Sequence, residues 1–145
     1  MKQREIGQGE IKGIKFYHYC LIENDEIIGT GRIRTNLEAN EYFNKYSGHI
    51  GYTIIPSKRK RGYGTKLLHL LLEKCKEINI EEVMIVCQVD NIGSQKVIEN
   101  NLGSYKDTVL DPTDNKYYKR YLIDVEKSLE NFTINNRNEK NKIVK

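Results

Sequence analysis

Residues 59–65, Arg-Lys-Arg-Gly-Tyr-Gly-Thr, combine cations and glycines in a pattern suited to binding phosphate groups. Gly62 and Gly64 permit a tight turn that exposes backbone amides. If a helix starts at this turn, its first residues add unpaired N–H groups and the positive end of a dipole. The pattern is neither a P-loop nor a dinucleotide-binding fingerprint, because Gly-x-x-x-x-Gly-Lys-Ser/Thr is absent and residue 67 is Leu. It predicts a diphosphate-binding turn, with a solvated basic turn as the alternative.

A strand and a helix flank this turn. Residues 49–55 are β-prone, and Pro56 ends the run. Residues 65–78 place leucines at helical spacing, with charged residues mostly on the other side. Residues 83–87 are continuously apolar and suit a strand buried on both faces. Strand, helix and strand together predict one parallel crossover.

The remaining patterned segments predict an antiparallel surround for this crossover. They are two pairs of β-prone runs, each joined by a polar turn: 16–22 with 27–34, and 105–110 with 117–124. A second helix is expected over residues 92–100, with Asn91 as its cap. The sequence therefore predicts an α+β fold with a mixed, mostly antiparallel sheet, one parallel crossover and flanking helices.

The composition is that of one soluble globular domain, with 145 residues, 38% apolar and 30% charged. No apolar run approaches the length of about 20 residues that a membrane span needs, and the N-terminus lacks the apolar core of a secretory signal, so we expect a cytoplasmic protein. A net charge of +4 favours an anionic ligand without specifying it. Three widely spaced cysteines without histidines at ligand spacing predict neither a disulfide scaffold nor a metal site.

Two motifs carry a resemblance to a known family. Residues 48–57, Gly-His-Ile-Gly-Tyr-Thr-Ile-Ile-Pro-Ser, followed by Arg59-x-x-Gly62-x-Gly64, resemble motif A of the GNAT family of acetyl-CoA-dependent N-acetyltransferases. Asn91-x-x-Ser94 is similar to that family's second cofactor motif. The resemblance covers residues 17–124 and implies the GNAT fold, with acetyl-CoA as co-substrate and no metal. It implies these cofactor-binding residues: Ile54, Ile55, Arg59, Lys60, Arg61, Gly62, Tyr63, Gly64, Thr65, Asn91 and Ser94.

The resemblance also implies a division of roles along the cofactor. Backbone groups of Ile54 and Ile55 would face the pantetheine arm, and one of their N–H groups would stabilise charge on the thioester oxygen. Residues 59–65 would hold the pyrophosphate. Asn91 and Ser94 would lie along the pantetheine.

The catalytic residues are where this sequence departs from the family. Many members have a tyrosine that protonates the departing thiolate at the position of Ile98. Tyr105 is the candidate acid in its place, with Tyr63 or water as alternatives. His49 is the candidate base, because it lies on the strand that would hold the acyl group.

The domain boundaries follow from composition. We expect one domain over residues 1–124, in which residues 1–15 supply at most one short helix and an abbreviated wall of the acceptor site. Residues 35–47, together with a second subunit in the case of a homodimer, would complete that wall. Residues 125–145 are polar and predict a weak helix followed by a frayed tail.

The expected function is transfer of the acetyl group of acetyl-CoA to a primary amine of a small molecule or peptide, by direct attack in a ternary complex. A GNAT-like module that binds acyl-CoA without catalysis is the alternative. A nucleic-acid-binding module would use residues 58–61, but the lysines are scattered and no helix carries a basic face. We expect partners to include neither nucleic acid nor a membrane.

Overall fold

The computed structural model describes residues 2–144, with side chains over residues 2–135. Its seven-stranded sheet has the order β1-β2-β3-β4-β5-β7-β6. The strands are β1 (Lys2–Ile11), β2 (Ile14–Glu23), β3 (Glu26–Arg34), β4 (Ile50–Ile54), β5 (Glu82–Gln88), β6 (Ser104–Asp111) and β7 (Lys116–Asp124). The helices are α1 (Tyr63–Glu77), α2 (Ile92–Asn100) and α3 (Val125–Val144).

The sheet confirms the predicted fold class. Neighbouring strands are antiparallel except β4 and β5, which are parallel and joined through α1. The predicted second helix forms over the expected residues, and the Asn91 side chain accepts a hydrogen bond from Ser94 N at 3.0 Å. None of the helices in the described part of the chain is both long and apolar enough to cross a membrane.

The N-terminal segment differs from its prediction. Residues 1–15 were expected to supply at most one short helix, but Lys2–Ile11 forms the edge strand β1, paired antiparallel with β2. Three glycines weaken a helix here, and the segment has no apolar face that a helix could bury. Pairing with the free edge of β2 satisfies its backbone groups instead. At Gly9 an added Cβ would lie 2.6 Å from Phe16 Cζ, so the glycine leaves room for that ring.

One face of the sheet carries the hydrophobic core. Helix α1 buries Leu67, Leu71 and Leu72 against it. An added Cβ at Gly31 would come within 2.6 Å of Leu71 Cδ1, so this glycine allows α1 to lie close to β3. We call the side of the sheet that faces α1 the helix face, and the other side the open face.

The first part of the C-terminal segment packs more closely against the domain than the predicted weak helix would. Its backbone is helical through Val144, and the side chains of the predicted frayed tail beyond Asn135 lie outside the described residues. Val125 is buried, and the Phe132 ring stacks on His69 of α1 with centroids 3.6 Å apart. The first turns of α3 therefore pack against the domain.

Candidate active site

A groove of about 650 Å³ opens where β4 ends and where α1 and α2 begin. On its sheet side, β4 and β5 pair at one position within the described chain, Ile50 opposite Ile85. Beyond that position the two strands separate. The groove is lined by Tyr52, Thr53, Ile54, Lys58, Arg59, Lys60, Gly62, Tyr63, Gly64, Thr65, Asn91, Gly93, Ser94, Lys96, Val97 and Asn100.

Pairing of β4 with β3 decides where the backbone groups of β4 point. Ile55 N donates to Ile28 O at 2.9 Å, so the odd-numbered residues of this segment bond to β3. Hydrogen-bonding direction alternates along an antiparallel strand. The N–H and C=O groups of Tyr52 and Ile54 therefore point toward β5.

The facing strand has the same arrangement. Val89 N donates to Tyr117 O at 3.2 Å, so the odd-numbered residues of β5 bond to β7. The backbone groups of Val86 and Gln88 point toward β4 for the same reason. The gap between the strands is thus edged by peptide donors and acceptors, which suit an extended ligand with amide groups.

The first turn of α1 offers a second set of donors to this groove. Gly62 precedes the helix in the left-handed region, with φ of 81°, and no side chain caps the helix. The first intrahelical bond runs from Lys66 N to Gly62 O at 3.3 Å. The N–H groups of Tyr63, Gly64 and Thr65 are left for a ligand, and the dipole at this end favours an anion.

Cations surround this helix start. Lys58, Lys60 and Lys96 line the groove. Lys58 Nζ also lies 3.0 Å from Glu26 Oε2, a pair of small energetic value because Glu26 is exposed and Lys58 is partly exposed. Arg59 Nε donates to Ile54 O at 3.0 Å, so this arginine fixes the end of β4 as well as adding charge.

Two hydroxyl groups meet on the other side of the groove. The Tyr52 hydroxyl lies 2.8 Å from Ser94 Oγ in the first turn of α2. Burial raises the pKa of Tyr52, while its hydrogen bond with Ser94 opposes that shift. Tyr52 is therefore protonated near neutral pH and able to donate. The sequence gives one indication of this contact: Tyr52 alternates with Ile50 and Ile54 on the same face of β4, the face that packs against the helices.

The two helices meet closely at the groove. An added Cβ at Gly64 would lie 2.9 Å from Val97 Cγ2, so the absence of a side chain brings α1 and α2 together. The Asn101 side chain donates to Thr65 O at 3.2 Å and to Val97 O at 3.0 Å. These contacts fix the start of α1 relative to α2.

Nine of the eleven predicted cofactor residues line the groove, and Ile55 and Arg61 do not. The Ile55 N–H is already bonded to Ile28 O, so Ile54 supplies the free strand amide. Lys96 also lines the groove, and no motif in the sequence points to it, because its only signal is its place on the second turn of α2.

His49 does not have the geometry of a base. Its Nδ1 accepts a hydrogen bond from Met84 N at 2.9 Å, and the backbone N–H of His49 donates to Met84 O at 2.8 Å. Burial lowers the pKa of His49 below its usual value, which favours the neutral ring. A neutral ring whose Nδ1 accepts carries its proton on Nε2, so neither nitrogen is free to take another. The structure places His49 at the start of β4, away from the groove lining.

Tyr105 also lies away from the groove. It is on β6, three strands from β4 in the sheet, and its hydroxyl lies 2.6 Å from Thr108 Oγ1. Ile98, at the position of the family's tyrosine, is fully buried in the core. Among the described side chains no three His, Cys, Asp or Glu residues form a cluster of metal-ligand type.

Comparisons with known proteins agree with this geometry. The family model described as "Acetyltransferase (GNAT) family" matches residues 5–103. An uncharacterized N-acetyltransferase of Bacillus subtilis (strain 168), YnaD, is 27% identical over 86 residues, which are 56% of this chain and 49% of that protein. The chain therefore matches about half the length of this relative.

Solved structures share the fold at low identity. The aminoglycoside acetyltransferase AAC(6')-Ib in complex with coenzyme A has a TM-score of 0.65 and 17% identity, covering 80% of this chain and 69% of that one. The F149A mutant of spermidine N-acetyltransferase SpeG from Vibrio cholerae has a TM-score of 0.66 and 12% identity, covering 89% and 98%. RimL, a ribosomal L7/L12 alpha-N-protein acetyltransferase in complex with coenzyme A, has a TM-score of 0.59 and 24% identity, covering 76% and 63%. With a family match over more than half of its length, the chain belongs to the GNAT family of acetyltransferases.

Proposed function

We propose that this protein transfers the acetyl group of acetyl-CoA to a primary amine of a small molecule or peptide, by direct attack in a ternary complex. The observation that carries the proposal is the separation of β4 and β5 beyond Ile50, directly beside an uncapped helix start. A ligand that has both a diphosphate and a chain of amides matches the two halves of this groove.

The residues present fit coenzyme A. The N–H groups of Tyr63, Gly64 and Thr65 would bind the diphosphate, with Lys60 and Lys96 adding charge-assisted contacts. The backbone groups that edge the gap between β4 and β5 would pair with the amides of the pantetheine arm as a strand does. Asn91 acts through α2, because its side chain caps that helix and thereby holds Ser94 in place.

Acetyl-CoA supplies an acetyl group activated as a thioester. The chain's contribution is to hold both reactants together and to stabilise charge. The Ile54 N–H points into the gap and would donate to the carbonyl oxygen as negative charge develops there. As the C–N bond forms and the C–S bond breaks, the Tyr52 hydroxyl, protonated and hydrogen-bonded to Ser94, would donate its proton to the departing sulfur. The acylated nitrogen would release its second proton to solvent, from which the Tyr52 phenol would regain one.

No side chain is assigned as the base. His49 keeps its acceptor nitrogen occupied by Met84 N–H, and the proton of the acceptor ammonium would leave to solvent. The rate should therefore rise with pH until the acceptor amine is neutral.

The test is a panel of primary amines and short peptides incubated with acetyl-CoA, followed by thiol release and by mass spectrometry of the acetylated product. We expect turnover with at least one class of acceptor, in proportion to enzyme concentration. Saturable acetyl-CoA binding without thiol release from any acceptor would contradict the proposal and favour the non-catalytic acyl-CoA-binding module.

A further inference from the structure

Two arginines of β3 project to the open face of the sheet beside β4. Arg32 lies directly opposite Gly51 of β4. Arg34, two residues along β3, projects to the same face, and its Nη2 lies 3.2 Å from where a Cβ of Gly51 would be. Because Gly51 has no side chain, the Arg34 guanidinium lies against β4, two residues before Thr53, which lines the groove.

The surroundings hold these side chains without neutralising them. Arg34 Nη1 donates to Gly48 O at 3.1 Å and to Ser47 O at 3.4 Å. The Arg32 guanidinium lies over the Phe16 ring, 4.7 Å from its centroid. Carbonyl groups and an aromatic ring can fix the orientation of a guanidinium group, but they do not neutralise its charge.

No carboxylate among the described side chains pairs with either arginine. On β2, the residue opposite Arg32 is His18. Burial lowers the pKa of His18, and the charge of Arg32 lowers it further. Burial, and then Arg32, also lower the pKa of Arg34. Two half-buried like charges side by side are unfavourable unless an anion binds between them.

The location connects this pair to the acceptor. The cofactor groove lies on the helix face, which leaves the open face for the acceptor, and Gly51 borders the gap there because it directly follows Ile50, the last residue of β4 paired with β5. Gly51 and Ile54 are three residues apart, about 10 Å along a strand. An acceptor whose amine and anionic group are separated by about that distance would place its amine at the gap and its anionic group over Gly51.

We propose that the acceptor amine carries a carboxylate, which Arg32 and Arg34 bind on the open face of β4. The planar guanidinium binds a carboxylate through paired hydrogen bonds, and the positive field disfavours polycationic amines. This inference rests on the proposed function, because it names the acceptor class of that same site. It separates this chain from the spermidine and aminoglycoside acetyltransferases whose fold it shares.

The experiment compares matched acids and amides. One arm uses 4-aminobutanoate and 6-aminohexanoate against their primary amides. The other uses the peptide Gly-Ala-Glu amide against Gly-Ala-Gln amide, which distinguishes a small-molecule acceptor from a peptide. Binding to the CoA-saturated protein is measured by calorimetry, and turnover by thiol release, with spermidine as a polycationic acceptor.

We expect at least one acid to bind about tenfold more tightly than its amide, and spermidine to bind more weakly than either. Arg32→Gln should reduce that ratio to below about threefold, because it removes one of the two guanidinium groups. Arg4→Gln is the matched control. It removes the same charge from β1, two strands away from β3, and should leave the ratio unchanged.

The two proposals fail differently. Equal binding of acids and amides, or a preference that persists in Arg32→Gln, overturns the carboxylate inference even if thiol release occurs. A preference for acids in binding that Arg32→Gln removes, without turnover of any acceptor, supports a carboxylate site at these arginines but contradicts both the proposed acetyl transfer and the assignment of that ligand as its acceptor.

Discussion

The Tyr52 hydroxyl and Ser94 Oγ lie 2.8 Å apart and join β4 to the first turn of α2 across the groove. Ile98, at the position that the resemblance gives to the family's tyrosine, is fully buried, so the proposed proton donor is Tyr52. In that proposal Ser94 supports the Tyr52 hydroxyl and does not touch the reacting atoms.

Tyr52→Phe tests this role. We expect kcat to fall by about ten- to a hundredfold with little change in the Kd of acetyl-CoA, because only the proton donor is lost. Ser94→Ala removes the same hydrogen bond but keeps the phenol, so its effect should be smaller. Tyr105→Phe, whose hydroxyl contacts Thr108 on the edge strand β6, should change kcat by less than about threefold. If Tyr105→Phe has the larger effect, the acid is Tyr105 and the assignment of Tyr52 is wrong.

His49→Ala separates a structural role from a catalytic one. The pKa of His49 is lowered by burial, and its Nδ1 accepts from Met84 N. Loss of that acceptor should lower the free energy of unfolding by about 1–3 kcal/mol. The acid limb of the kcat/KM profile should keep its position, since it reports the acceptor amine. A shift of that limb in the folded variant would show that His49 takes the proton.

Gly64 and Val97 form a coupled pair between α1 and α2. Gly64→Ala should destabilise the fold by about 1–3 kcal/mol, because the new Cβ would lie 2.9 Å from Val97 Cγ2. In a Val97→Ala background the same change should be neutral or stabilising, since alanine favours a helix over glycine by about 1 kcal/mol. A double-mutant cycle by urea unfolding measures the coupling. Equal costs in both backgrounds would mean that Gly64 is needed for its backbone or for phosphate, and not for helix contact.

His69 predicts how stability depends on pH. Its Nε2 lies 3.0 Å from Glu73 Oε1 and its ring stacks on Phe132 of α3. Burial lowers the pKa of His69 below 6.5, partly opposed by Glu73. At acidic pH the unfolded chain therefore binds more protons than the folded one. The contribution of His69 to the free energy of unfolding is fully present above pH 6.5, and it is lost as the pH falls below 6.5 toward the lowered pKa of the folded state.

The measurement is the melting temperature at pH 7.5 and pH 5.5. His69→Gln should show a smaller difference between the two pH values than the wild type, with part of the dependence retained by His18 and His49, whose pKa values are also lowered. If His69→Gln shows the same difference in melting temperature between the two pH values as the wild type, groups other than His69 cause the loss of stability at acidic pH.

Local sequence signals predicted the elements that make the groove. Helix α2 was predictable because Asn91 caps it through its own side chain, and α1 because its leucines repeat at helical spacing. The glycine turn at Gly62, which we propose to bind the diphosphate, depends on neighbouring residues alone. Strand β1 was missed because its formation depends on the free edge of β2, which no local pattern records.

The details of the chemistry depend on contacts that are distant in sequence. Whether Ile54 or Ile55 keeps a free N–H is decided by the register of β4 on β3. The convergence of Arg34 on Gly51 and the contact of Tyr52 with Ser94 join residues far apart along the chain. The resemblance to the GNAT family could indicate the cofactor. It could not indicate the catalytic acid, because the residue at the position of the family's tyrosine is Ile98, which is buried in the core.

Titration of the wild-type protein with acetyl-CoA by isothermal calorimetry tests the central claim most directly. The groove predicts saturable one-to-one binding, weakened about three- to tenfold in Lys96→Gln, which removes a cation from the lining. Lys106→Gln removes an equivalent exposed charge from β6, outside the groove, and should bind as the wild type does. Absence of saturable binding by the folded wild-type protein would contradict the assignment of this groove to acetyl-CoA.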